Sequence, residues 1–125
     1  MNSDKTNPPE LKARTKAFAL RIVRLYVALP KRTEAQVLGK QLLRSGTSVG
    51  AQYREAQRAK SDADFINKVE GALQELEESG YWLELLGDLE IVPATRLAPL
   101  LKEADELTAI LVTIIRRTKD RRHEE

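Results

Sequence analysis

The sequence has no cysteine, which excludes disulfide frameworks and thiolate metal sites, and its one histidine, His123, lies in the C-terminal stretch expected to fray, which leaves a catalytic triad or a His-ligated metal site without its central part. A chain without cysteine suits a reducing compartment. Aromatic residues make up only 5% of the 125 positions, and no apolar run approaches the roughly 20 residues that a membrane helix needs. The opening stretch, Met1 to Glu10, lacks the apolar segment of a secretory signal. A cytoplasmic protein is therefore expected, with no cofactor, no bound metal and no membrane partner. No residue pattern identifies a small-molecule substrate.

What is present is a soluble-domain composition, 42% hydrophobic and 32% charged, long enough for one domain with its own core. The net charge is only +2, yet the charges are sorted along the chain. Residues 1–60 carry 13 basic and 4 acidic side chains, residues 61–111 carry 3 and 12, and residues 112–125 carry 5 and 3. A cationic first half thus precedes an anionic third quarter.

Leu11, Phe18, Ile22, Leu25 and Leu29 recur at helical spacing, and Leu20, Val23 and Val27 add a second flank, predicting a first helix with two buried faces that Pro30 ends. Thr33 with Gln36 has the form of a capping box and opens a second helix reaching about Ala59. Its seam is Leu38, Leu42, Ser45, Val49, Gln52 and Ala56. Ser61, followed by Asp62 and Asp64, starts a third helix running to about Gly87, with Phe65, Val69, Ala72, Leu76, Ser79, Leu83 and Leu86 in register. Leu97, Leu100, Leu101, Ala104, Leu107, Leu111, Ile114 and Ile115 mark a fourth, with Pro99 near its first turns or kinking it. Short joints make successive helices antiparallel. The expected architecture is an all-α, up-down-up-down four-helix bundle over residues 11–119, with a disordered tail over 1–10 and a frayed one over 120–125.

The second helix contains Ser45, Gly46, Thr47, Ser48 and Gly50, poor helix formers whose glycines each cost about 1 kcal/mol against alanine. Either Gly46 and Gly50, four apart on one face, admit a neighbouring backbone while the serines bond locally, or the small polar residues between Arg44 and Arg54 receive an anion. A nucleotide loop is disfavoured, because the GxxxxGK[ST] spacing and a preceding strand are both missing.

The block from Gln41 to Ala56 resembles the second-helix signature of the bacterial four-helix-bundle proteins encoded in 23S ribosomal RNA intervening sequences. Asp64 to Lys68 and Leu73 to Leu86 resemble the third-helix signature of the same family, with Phe18 and Leu29-Pro30 extending the likeness over nearly the whole chain. The sequence departs from the family pattern at Gln52, where asparagine is common, and at Gln74, where a basic residue is frequent. The resemblance implies a ring-like homopentamer with no established enzymatic activity. It also implies kinship with the accessory variability determinant of diversity-generating retroelements, which binds a reverse transcriptase and nucleic acid.

A ferritin-like metal core would need inward Glu-x-x-His pairs, which the sequence does not contain. Glu70, Glu77 and Glu84, seven apart, form a stripe that is either solvated or faces a partner helix. Tyr81 and Trp82 are adjacent and point in different directions, so packing or interface roles suit them better than base stacking. With Ser45, Gly46, Gly50, Tyr53 and Glu77 they are the candidate packing and interface residues.

Two functions of different class follow, neither enzymatic. In the first, Lys16, Arg21, Arg24, Lys31, Arg32, Lys40, Arg44, Arg54 and Arg58, with Lys12, Arg14 and Lys60 nearby, bind nucleic acid phosphates with little sequence preference. RNA is favoured, and the resemblance points to ribosomal RNA or its precursor. In the second, the protein is a scaffold or accessory subunit. Basic first and second helices of one copy then meet the acidic third helix of the next and close a ring.

Overall fold

The computed structural model describes residues 7–124, so the part of the expected N-terminal tail covering residues 1–6 lies outside the described residues. Four α-helices make up the described chain, with no strand among its residues: α1 (Pro8–Val27), α2 (Thr33–Ala56), α3 (Asp62–Asp88) and α4 (Ala94–Glu124). The all-α expectation holds, and the ends differ in instructive ways.

Helix α1 starts three residues before Leu11, because the Asn7 side chain accepts a hydrogen bond from the Glu10 amide and Pro8 and Pro9 occupy positions that need no donor. It stops at Val27, since the residue before Pro30 is pushed out of helical geometry. The expected Thr33–Gln36 capping box does not form. Gln36 instead donates to the Pro30 carbonyl at 2.9 Å and pairs with the Tyr26 hydroxyl at 3.2 Å, tying the α1–α2 joint to itself. Helix α2 ends at Ala56, three residues short of Ala59. At α3 the Ser61 hydroxyl caps the Asp64 amide at 3.0 Å, as its sequence predicts.

Helix α4 carries Pro99 inside its second turn and runs through the segment expected to fray, as far as Glu124. No Gly or Pro follows Pro99 to stop it, Arg121 and Arg122 complement the dipole of its last turn, and Arg121 bonds Asp62 of α3 at 2.9 Å.

Contacts between neighbours fix the order of packing. Along α2 and α3, Ser45 meets Ser79, Gln52 lies over Gly71 and Glu55 pairs with Lys68, so one numbering rises while the other falls. Helices α1 and α2 share the pattern, with Gly39 against Leu29, Gly46 against Ile22 and Gly50 against Thr15. Helices α3 and α4 do too, with Gly87 beside Leu97 and Asp62 beside Arg121. Helix α4 lies mainly on α3 and touches α1 over a shorter stretch.

Phe18, Ile22, Leu42, Val49, Leu76, Leu83, Leu107 and Leu111 are among the fully buried side chains of one continuous core. Each such side chain contributes about 1.5–3 kcal/mol. The second apolar flank of α1 is not part of it. Leu20, Val23 and Val27 stay 44%, 37% and 73% exposed, because α2 and, over a shorter stretch, α4 cover a single face of α1.

Candidate nucleic-acid interface

Helical periodicity sorts the basic residues of α1 and α2 before any ligand is considered. Residues Lys16, Leu20, Val23 and Val27 follow spacings of four, three and four, and Lys40, Thr47 and Arg54 stand seven apart on α2, so each set shares one outward flank. Where the two flanks meet, Lys16, Thr47, Gly50, Ala51 and Arg54 line an open groove of about 300 Å³. Its floor is small because Gly50 sits against Thr15: a side chain there would meet the Thr15 hydroxyl at 3.1 Å. Lys16 and Arg54 therefore flank a shallow bed into which a phosphate can approach from solvent.

The other cations extend from that groove. Arg24, Lys31, Arg32, Lys40 and Arg58 are exposed, with Lys31 and Arg32 in the α1–α2 connection and Arg58 just beyond the far end of α2. Helix α2 alone, at 24 residues, is roughly 36 Å long, enough for several phosphates of a strand. Among the described residues, none of these side chains, nor Lys16 or Arg54, is held in an ion pair. Arg21 is half-buried and contributes less.

Two arginines are already engaged. The Arg44 guanidinium bonds Glu75 at 3.1 Å and Glu78 at 3.2 Å on α3, and its pKa is raised first by the Glu75 hydrogen bond. The Glu78 carboxyl is held below the ordinary carboxylate range by hydrogen bonds to Glu75 and to Arg44. Arg14 faces the opposite flank, where Glu103 and Glu106 of α4 enclose it. Part of the sorted charge thus binds the chain to itself.

The packing residues separate just as clearly. Ser45 and Ser79 are buried and share a hydrogen bond of 2.9 Å, with the Ser79 hydroxyl donating on to the Glu75 carbonyl. Gly46 lies under Ile22, close enough that an added Cβ would stand 2.8 Å from its side chain. Tyr53 is 2% exposed, and burial pushes its phenol up. Tyr81 is exposed beside Glu77, whereas Trp82 turns toward the core, the rings 5.1 Å apart at 60°. The Trp82 indole N–H is buried without a partner. Glu70, Glu77 and Glu84 do share an exposed flank of α3, where Glu70 lies 3.8 Å from Lys119 of α4.

Sequence patterns gave no sign of Thr15 as the residue beneath Gly50, or of Arg14 joining α1 to α4. Both depend on which helices become neighbours in space. The pairing of the basic C-terminal turns with α3 had no local signal either, since the buried period of Leu111, Ile115 and Thr118 stops just short of the segment expected to fray. Among the described residues no group of three or more His, Asp or Glu side chains could hold a metal ion, and no helix is long and apolar enough to cross a membrane.

Comparison with known proteins adds an independent finding. The model of the 23S rRNA-intervening sequence protein family matches residues 10–113. A protein of unknown function from the S23 ribosomal protein family of Bacteroides thetaiotaomicron, seen in a crystal structure, is 44% identical, with a TM-score of 0.80 over 84% of this chain and 97% of its own. No curated protein matches.

Proposed function

The chain belongs to the 23S rRNA-intervening sequence protein family, and from that premise we propose that it is a non-enzymatic nucleic-acid-binding bundle that works as a ring-like homo-oligomer. The bundle is read as antiparallel and up-down-up-down, which the opposed registers of its three successive helix pairs support. One observation carries the binding: Lys16 and Arg54 flank an open groove, further exposed cations extend along the outer flanks of α1 and α2, and among the described residues none of these is held in an ion pair. No base-reading loop accompanies them, so the contact is to phosphates and its sequence preference is low. RNA, ribosomal RNA or its precursor above all, is the substrate class that the family's name suggests for this chain.

The test is a titration of single-stranded RNA and duplex DNA against salt. Binding should weaken steeply as salt rises, and the double substitution Lys16→Glu with Arg54→Glu should flatten the slope by about 1 for each phosphate left without its cation. Retained affinity and an unchanged slope in that variant would remove the groove from the function.

A second reading, an assembly scaffold, draws support from the exposed Leu20, Val23 and Val27 amid the same cations. A purely phosphate-binding flank has no use for three aliphatic side chains. In that reading this flank meets Tyr81 and the Glu77–Glu84 stripe of a second copy, a head-to-tail contact of the kind that closes rings. A particle that falls apart in high salt and shifts no RNA at low salt would favour the scaffold alone.

A further inference from the structure

At one end of the bundle the finish of α2, the start of α3 and the last turns of α4 enclose an open cleft of about 650 Å³, within the size range of small-molecule sites. It shares no lining residue with the Lys16–Arg54 groove. Phe65 and Ile114 supply half-buried apolar surface, and Lys60 stands at the rim in no ion pair among the described residues. Arg121 holds Asp62 there at 2.9 Å and, with five N–H donors on its guanidinium, retains capacity for a second anion.

Tyr53 distinguishes this cleft from an accidental gap. The side chain is 2% exposed, and a buried tyrosine hydroxyl normally finds a partner. Among the described residues none bonds it, yet it is not sealed among the dry atoms, where the Trp82 nitrogen is found. Tyr53 is one of the residues that line the cleft.

We propose that this cleft binds a nucleobase carrying a phosphate, with the base on Phe65 and Ile114, a ring-edge group on the Tyr53 hydroxyl and the phosphate between Lys60 and Arg121. The source is either a free nucleoside monophosphate or the terminal nucleotide of an RNA strand. An aliphatic anion leaves the aromatic wall unused, and a neutral base leaves the cations unused. The site extends the nucleic-acid reading but rests on different residues from the groove.

The experiment titrates the full-length protein with AMP, and separately with a short RNA bearing a 5′-phosphate or a 5′-hydroxyl, following backbone amides by NMR. Saturable shifts should appear at residues 56–65 and 114–121. Tyr53→Phe should retain the melting midpoint and weaken AMP about 3- to 10-fold, the loss of one hydrogen bond. Lys60→Gln should weaken it as well, and the Lys16→Glu, Arg54→Glu protein should bind AMP unchanged. AMP that matches the phosphorylated RNA at these amides marks a free nucleotide as the ligand, whereas tighter binding of the phosphorylated RNA marks a strand end. Absence of saturable shifts at the cleft, or equal AMP affinity in Tyr53→Phe and the parent, overturns the proposal. If RNA binding still depends on Lys16 and Arg54 in that case, the groove reading survives.

Discussion

Gly50 lies where α2 comes up against the backbone of α1, with the Thr15 backbone carbon 3.5 Å from where its Cβ would be. A main chain yields less readily than a side-chain tip, so overpacking in Gly50→Leu should cost about 1–3 kcal/mol, offset in part by the roughly 1 kcal/mol gained in helix propensity, for a net destabilisation of up to about 2 kcal/mol. Arg24→Glu, on the exposed flank, should leave the melting midpoint nearly unchanged, and thermal melts by circular dichroism rank the two. The glycine spacing made the close face legible in the sequence, because two small residues four apart on a helix share a side. Thr15 was not legible, since a threonine inside an apolar stripe carries no mark of which residue will cover it. The buried Ser45–Ser79 pair offers a finer check. Because Ser79 already donates to the Glu75 carbonyl, its own bond survives loss of Ser45. Ser45→Ala and Ser79→Ala should each cost about 0.5–1.5 kcal/mol, and the double variant less than their sum.

At the level of the helix, start signals were read better than stop signals. Ser61 caps α3 as its spacing implies, whereas α4 outlasts its expected end because the signal is held in another helix: Asp62 and Glu70 of α3 receive Arg121 and Lys119. A pairing across 59 residues is invisible to local periodicity. The Arg44–Glu78 contact between α2 and α3 carries part of a pH dependence whose sign follows from the pKa of Glu78, lowered first by Glu75 of its own helix and then by Arg44. That pKa is lowered in the folded chain, so the stabilisation is complete above the ordinary carboxylate range and disappears as pH falls through the lowered value. The pair is largely solvent-exposed, which keeps the effect small. Arg44→Gln should therefore melt slightly below the parent at neutral pH and converge with it in acid. A gap that persists undiminished in acid would mean that Arg44 stabilises by packing rather than charge.

For the whole molecule, the unfinished feature is the outer flank of α1. Its apolar period is as regular as that of the buried face, and for that reason the sequence predicted two buried faces. The described residues cover only one, and in the proposed assembly the second is covered by another copy. The complementary surface exists on the same molecule, since α3 presents exposed Tyr81 among Glu77 and Glu84, opposite in charge to Lys16 and Arg24. In the proposed ring such a contact would be heterologous, with different surfaces on its two sides, and would repeat from copy to copy until rotation closes it. Replacing Leu20, Val23 and Val27 together with Gln, Thr and Gln should then reduce the particle to monomer in analytical ultracentrifugation. The melting midpoint of the monomer should stay close to that of parent protein diluted until it dissociates, because none of the three belongs to the internal core. Tyr81→Glu should dissociate the particle in the same way from the opposite side. If both variants keep the parent's mass, these surfaces do not meet, and the exposed valines must face a different partner.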